Sequence, residues 1–265
     1  VTLHTVLSEP SEDQRRILVH LTQRASRIMV MSEHSREVLA TRYGVDRRRV
    51  VVIEHGAPER PQGRELEFKA RLGLADRMVM MTFGLLGPGK GLEHAIEALP
   101  AIAAHHPRIL YRIVGATHPN LVAQDGESYR EHLQGLVKRL GMQDHVEWDD
   151  RFLETEELLN QLEGCDIYLT PYPNLQQSTS GTLSYAVALG KPVIATPYIH
   201  ARELLADGVG CLVEPCDPDA IAKAVLALLD DPDARNAMSR RAYRRGRKTV
   251  WPRFAEAAAA LIRET

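Results

Sequence analysis

The sequence predicts an α/β fold: a parallel sheet with helices on both faces, preceded by part of a second, smaller α/β unit. Strand-like and helix-like segments alternate along the 265 residues with short connections, a pattern that right-handed crossovers turn into a parallel sheet covered on both sides. The alternation breaks once, at residues 54–63, where glycine and proline punctuate the chain before the pattern restarts. The expected division is residues 1–60 as the end of one unit, 61–249 as a complete one, and 250–265 as a helix returning to the first.

In order, residues 1–7 form an apolar β-like run, and Ser11 caps a helix over 11–24. Residues 27–31 read as a strand. Ser32 then caps a helix that runs to about Tyr43 and ends at Gly44, and 50–53 is a short strand. After the break, 78–83 has the composition of a buried strand. Residues 92–104 place Leu92, Ala95, Ile96, Leu99 and Ala103 on one helical face. A strand at 109–114 precedes a helix at 129–140 whose apolar face is Leu133, Leu136, Val137 and Leu140. Then come strand 145–148, helix 156–163, strand 166–171, a short helix 181–189, strand 192–195, helix 199–206 and an edge strand 210–214. Residues 218–229 carry Ile221, Ala224, Val225, Leu228 and Leu229 at helical spacing, and 250–265 do the same with Phe254, Ala258, Leu261 and Ile262. There is no internal repeat and no low-complexity stretch.

Composition narrows the function. With 33 basic and 35 acidic residues the net charge is −2, which argues against a nucleic-acid-binding surface, and 5% aromatic residues argue against base-stacking platforms. The longest apolar runs fall far short of the roughly 20 residues of a spanning helix, so no transmembrane segment is expected. Cys165, Cys211 and Cys216 lack metal-ligand spacing and read as reduced thiols, which fits a cytoplasmic protein. The first residues are Val-Thr-Leu-His, a strand-like run with no initiator Met, which reads as the start of a fragment or trimmed chain.

In a parallel sheet of this kind ligands bind beyond the carboxyl ends of the strands, here the loops after Phe83, Val114, Pro171 and Thr196. The first loop runs from Gly84 to Gly91. Gly84, Gly87 and Gly89 let backbone approach a ligand closely, and Lys90 sits near the start of a helix whose N–H groups and dipole favour an anion. Gly91 occupies the Ser/Thr position of a P-loop, so this is not one. A flexible turn with a surface lysine is the bland alternative. The second loop, Gln176 to Thr182, sets Ser178, Thr179, Ser180 and Thr182 with Gly181 ahead of a helix. Its N-terminus could bind phosphate, or Ser180 could simply cap the helix. Two helix N-termini and one lysine can converge on one diphosphate. His118 is a ligand contact or a turn histidine, the charged cluster from Asp149 to Leu153 is a site or a salt-bridged loop, and Glu203 is a helical surface carboxylate that needs no role. No paired carboxylates, Ser-His-Asp arrangement or His/Cys cluster is present, so hydrolytic and metal-dependent chemistry have little support, and no cofactor is expected.

These residues resemble a family. The run Gly84-Leu-Leu-Gly-Pro-Gly-Lys-Gly-Leu-Glu93 is similar to the Gly-Arg-Leu-x3-Lys-Gly loop of retaining GT-B glycosyltransferases of family 4. Ala186-Val-Ala-Leu-Gly-Lys-Pro-Val-Ile-Ala-Thr196 resembles that family's Glu-Ala-x-Ala-x-Gly-x-Pro-Val-x-Ala-Thr, and Glu203 with Gly208-x-Gly210-Cys-Leu-Val-Glu-Pro215 matches its downstream pattern. Val52-Ile-Glu-His-Gly56 resembles the Ile-Pro-Asn-Gly between that family's two domains, while His4 and Val30-Met-Ser32 resemble the last strands of its acceptor domain. The similarity covers nearly the whole chain in order and spacing.

The resemblance implies a Rossmann-like donor domain that binds a nucleotide-diphosphate sugar without a metal and transfers the sugar to an acceptor the sequence does not name. His4, Lys90 and Gln177 would serve the reacting end. Gly84, Gly87, Gly89, Lys90, Ser180, Gly181, Thr182 and Tyr185 would hold the donor and its diphosphate, and Arg151, Phe152 and Leu153 would lie beside the base. The departures are specific. The family arginine falls on Leu85, and its Glu-x7-Glu pair falls on Gln177 and Tyr185. Only the end of the acceptor domain is represented, so an upstream segment or a homo-oligomeric partner is expected to cover the strand edge this leaves. A non-catalytic module derived from the same fold is the alternative function; a GT-B enzyme of another reaction, such as an epimerase or phosphorylase, is a third.

Overall fold

The computed structural model of the protein describes residues 1–263 and contains two separate parallel sheets. The smaller comprises β1 (Thr2–Leu3), β2 (Ile28–Val30) and β3 (Val50–Val52) in the order β1-β2-β3, with Thr2 opposite Met29 and Met29 opposite Val51. Its crossovers are α1 (Glu12–Arg24) and α2 (Glu33–Tyr43). Ser11 and Gln14 close a reciprocal capping box on α1, and Gly44 ends α2 in the left-handed region at φ 68°. Leu3, Val6, Ile28, Val30, Val38, Leu39 and Val50 gather into one core.

The larger unit begins with α3 (Glu65–Arg71) and runs through β4 (Met78–Phe83), α4 (Leu92–His105), β5 (Ile109–Val114), α5 (Pro119–Asp125), α6 (Ser128–Arg139) and β6 (Val146–Asp149). It continues with α7 (Thr155–Glu163), β7 (Ile167–Thr170), α8 (Gly181–Ala188), β8 (Val193–Ala195), α9 (Ile199–Leu204), β9 (Cys211–Leu212), α10 (Pro218–Asp230) and α11 (Pro232–Gly246). All strand pairs are parallel, in the order β6-β5-β4-β7-β8-β9. Side chains alternate across the pleat, so Val79, Met81 and Phe83 enter one core and Met80 the other. Burial on both faces explains why these strands read as continuous apolar runs rather than alternating ones. The order reverses beside β4: β5 and β6 continue to one side, β7 to β9 to the other. That reversal splays the loops after β4 and β7 and opens a crevice at their carboxyl ends.

The last helix, α12 (Trp251–Arg263), starts against the linker between the two sheets. Ala57 and Val250 form a parallel bridge, in which Ala57 N–H donates to Thr249 O at 2.9 Å and Trp251 N–H to Ala57 O at 2.8 Å. The Trp251 indole covers Gly56 so closely that a Cβ there would lie 2.1 Å from its Cε3. Residues 264 and 265, the end of the expected 250–265 helix, lie outside the described residues.

Two expectations change. The strand expected over residues 1–7 is only Thr2–Leu3, because the chain turns away after His4 towards the second loop. Helices α3, α5 and α11 had no counterpart in the pattern. The first two have seven residues each, too few to establish a period, and α3 has no side-chain cap. Helix α11 is mostly polar and buries only Met238, Ala242 and Gly246; it docks through Gly246, where a Cβ would fall 2.4 Å from the Ala188 Cα.

Candidate diphosphate site between the carboxyl ends of β4 and β7

The loop after β4 folds into a single 3-10 turn, Pro88–Lys90, and Gly91 then starts α4. Gly91 adopts φ 61°, and a Cβ there would meet the Pro171 carbonyl oxygen at 2.2 Å. That close approach ties the β4 loop to the β7 loop. It delivers Lys90 to Tyr172, whose hydroxyl accepts from the Lys90 ammonium at 3.1 Å.

A chain of side chains runs on from there. The Tyr172 and Thr182 hydroxyls lie 3.1 Å apart, as do those of Thr182 and Ser180. Ser180 is the N-cap of α8, its Oγ accepting from Leu183 N–H at 3.3 Å. Its own N–H is already committed, donating to His200 Nδ1 at 2.8 Å. The N–H groups left at the head of α8 are therefore those of Gly181 and Thr182, which as first-turn residues have no intrahelical acceptor. Gly84 faces the same space: a Cβ on it would lie 3.4 Å from Thr182 Cγ2 and 3.6 Å from Lys90 Nζ. Gly87 and Gly89 complete the loop, Gly89 with open space around it.

The residues expected at the reacting end are placed unevenly. His4 is exposed; its carbonyl accepts from Thr179 Oγ1 at 3.0 Å, which pins the end of β1 to the second loop. Its side chain lines a cavity of about 520 Å³ together with Met29, Met31, His55 and Trp251. Gln177 turns its amide back onto its own loop, donating to Thr179 O at 3.1 Å. Tyr185 sits on α8, its ring 6.4 Å from that of Phe83 and packed on the core.

Arg151, Phe152 and Leu153 border a smaller cavity of about 160 Å³, with Gly84, Leu85, Val114 and Gly115 on its other sides. The Arg151 guanidinium is occupied by Asp149 and Glu157, each at 2.7 Å, and it holds the Asp149 carboxyl down at a pKa of about 2. For that side chain the salt-bridged loop is what the structure contains. Phe152 is 81% exposed. His118 accepts from Asn120 N–H at 3.2 Å and caps α5, the turn role.

Three residues that the structure brings to the candidate site escaped the sequence reading. Tyr172 is completely buried and stacks on Tyr198 with ring centroids 5.2 Å apart. His200 is buried, and that burial, assisted by His55 and Arg245, drives its pKa down to about 3, so the ring is the neutral acceptor Ser180 requires. The His55 ring lies over Gly181, with Nε2 3.1 Å from where a Cβ would be, and its pKa is lowered chiefly by burial. The signal for Tyr172 was its place directly after a central strand; nothing local marked His200.

One cation and an open helix N-terminus at a strand-order reversal suit a polyanion. Among the described residues no group of three or more His, Cys, Asp or Glu could hold a metal ion, and no helix is long and apolar enough to cross a membrane.

The family profile for glycosyl transferases group 1 matches residues 64–245. The chain belongs to that family. Among the relatives of this glycosyltransferase family chain is the D-inositol 3-phosphate glycosyltransferase of Kineococcus radiotolerans, 29% identical over 89% of this chain and 57% of the relative. A GDP-mannose-dependent alpha-(1-6)-phosphatidylinositol monomannoside mannosyltransferase of Mycolicibacterium smegmatis is 34% identical over 64% of this chain and 43% of its own. The chain thus spans about half the length of these relatives. The fold is that of GT-B glycosyltransferases: Anabaena HepE, solved in complex with UDP, superposes with a TM-score of 0.85 at 22% identity, covering 100% of this chain and 71% of HepE.

Proposed function

We propose that the chain binds a nucleoside-diphosphate sugar across the carboxyl ends of β4 and β7 and forms the donor-binding part of a retaining glycosyltransferase. The observation that carries this reading is the meeting of Lys90 with the open N-terminus of α8, linked through Tyr172 and Thr182. The diphosphate lies against the ammonium and the Gly181 and Thr182 N–H groups, with Gly84, Gly87 and Gly89 allowing backbone to close on it. The base enters the cavity beside Leu153, with Phe152 at its mouth. The sugar points towards His4, His55 and Gln177, and Tyr185 borders the ribose side.

When the bond from sugar to diphosphate breaks, its electron pair stays on the phosphate oxygen. Lys90 and the α8 dipole are already aimed at that charge, so stabilising it needs neither metal nor reorganisation. In place of the family's glutamates stand Gln177, whose amide oxygen is left to accept from a sugar hydroxyl while its nitrogen holds Thr179 O, and Tyr185, which packs on the core and brings no carboxylate to the ribose. Residues 1–60 act as the end of the acceptor-side unit, 61–249 as the donor unit and the helix Trp251–Arg263 as the returning element. The three free cysteines go with a reducing, cytoplasmic setting.

HepE is described with UDP and the M. smegmatis relative is named GDP-mannose-dependent, so these nucleotides come first. Titration calorimetry with UDP, GDP, ADP, UDP-glucose and GDP-mannose should show saturable heat with at least one. Folded protein that binds none of them at millimolar concentration would overturn the reading.

A further inference from the structure

The first turn of α2 belongs to the small unit, yet it is completed by a residue of the large one. Ser32 Oγ accepts from Ser35 N–H at 3.1 Å, which leaves the Glu33 and His34 N–H groups to be satisfied. Glu203 takes both: Oε1 accepts from His34 N–H at 2.9 Å and Oε2 from Glu33 N–H at 3.1 Å, across 169 and 170 residues of sequence. A carboxylate forked over two N–H groups at the positive end of a helix is a strong, directional contact.

Glu203 sits on α9, a helix of six residues with Ala201 and Leu204 buried beneath it. One turn earlier, the same helix holds the second site loop at two points and the residue just before it at a third. Ile199 N–H donates to Leu175 O and His200 N–H to Gln177 O, each at 3.1 Å, while His200 Nδ1 accepts from Ser180 N–H at 2.8 Å. Glu203 and His200 thus stand about one turn apart on the same six-residue helix, with His200 itself buried.

We propose that Glu203 is a positioning residue that ties the small sheet, through α2 and α9, to the Ser180 loop at the head of α8. The contact sets the loop only while the two units stand in register. If they part, Glu203 loses its donors, α9 loosens, and His200 no longer fixes the Ser180 N–H. The N-terminus of α8 is then assembled only in the arrangement that also brings His4 against Thr179. The effect on nucleotide affinity rests on the function proposed above; the effect on the loop does not.

The test is residue-resolved amide exchange by NMR on Glu203→Ala, Glu203→Gln and Glu33→Pro, with isothermal titration of UDP and GDP in parallel. Proline is tolerated at the first helical position and removes one of the two N–H donors while leaving α9 intact. In Glu203→Ala the Ser180 amide should exchange about tenfold faster, as should those of Glu33 and His34, with amides of β4 and β5 unchanged. Glu203→Gln, which keeps one acceptor oxygen, and Glu33→Pro should show a smaller increase at Ser180 in the same direction. Whichever nucleotide the unaltered protein binds should bind Glu203→Ala more weakly, with Glu203→Gln restoring part of the loss. Faster exchange in α2 with Ser180 unchanged would overturn the coupling, whatever the affinities. If Glu203→Ala does not fold, an unchanged Ser180 amide in both Glu203→Gln and Glu33→Pro overturns it equally. Absence of nucleotide binding by the unaltered protein would instead overturn the function proposed above, and the Ser180 amide would still decide the coupling.

Discussion

The Lys90 ammonium lies 4.4 Å from the ring centroid of Tyr172 while donating to that ring's hydroxyl at 3.1 Å. Tyr172 cannot yield, since it is wholly buried and stacked on Tyr198. The cation is therefore placed by the core of the large unit, and the entropy of ordering a long lysine side chain is spent before any ligand arrives.

Two substitutions separate charge from placement. Lys90→Ala removes the only side-chain cation that the two loops bring to this space, and nucleoside-diphosphate affinity should fall roughly 10–100-fold, the scale of a hydrogen bond to a charged group. Tyr172→Phe keeps the ring under the ammonium and deletes the hydroxyl that links it to Thr182, so the loss should be only about threefold to tenfold. Calorimetry reads both, and equal affinity of Lys90→Ala and the unaltered protein would remove the diphosphate from this place.

Phe152 is the base-side test. At 81% exposure it supports little of the fold, so Phe152→Ala should change the unfolding free energy by no more than about 0.5 kcal/mol. If the ring stacks on the base, nucleotide affinity should drop about fivefold or more. Inorganic pyrophosphate, which has no base, should bind both proteins alike. An equal loss for pyrophosphate and nucleotide would show that Phe152 acts on the phosphates or the loop.

Gly91 is where the two loops touch. Gly91→Ala must place a Cβ 2.2 Å from the Pro171 carbonyl oxygen on a residue at φ 61°. Left-handed backbone and overpacking together should cost about 2–4 kcal/mol. Gly89→Ala, two residues away in open space without positive φ, should stay within about 0.5 kcal/mol of the unaltered protein. Urea midpoints compare them. Equal midpoints would mean that the loops are not held in contact in solution.

Most of the large sheet was legible in the sequence because its strands are buried on both faces and its helices carry apolar stripes long enough to establish a period. The strand-end rule also found Lys90 and the Ser180 loop, since both follow central strands. Side-chain partnership was not legible. The loop ahead of α8 read as a phosphate-binding helix N-terminus or a plain Ser180 cap; Ser180 does cap the helix, and a histidine 20 residues on takes its N–H, a pairing only tertiary structure makes. Arg151 read either as a base contact or as part of a salt-bridged loop, and its guanidinium pairs with Asp149 and Glu157. Glu203 looked like a surface carboxylate, because nothing local reveals that a helix from the other unit ends on it. Periodicity reports which face is buried, not which group a polar side chain meets.

His200 makes a prediction about pH. Its folded pKa is depressed from 6.5 to about 3, so the folded state holds the neutral ring that the Ser180 N–H requires. Above pH 6.5 the ring is neutral in both states and contributes no pH dependence. As pH falls below 6.5 the unfolded chain takes up a proton that the folded one refuses until about pH 3, so stability declines across that interval. Between pH 7 and pH 5 the decline from this group should be about 2 kcal/mol. Asp149, depressed from 3.8 to about 2, draws on stability only at lower pH, and the lowered His55 is present in every protein compared. His200→Asn offers an amide oxygen near the Nδ1 position and does not titrate, so its urea-derived stability should fall by about 2 kcal/mol less between pH 7 and pH 5 than that of the unaltered protein. The same slope in both proteins would mean that His200 is not held neutral by burial, and that the Ser180 N–H has another acceptor.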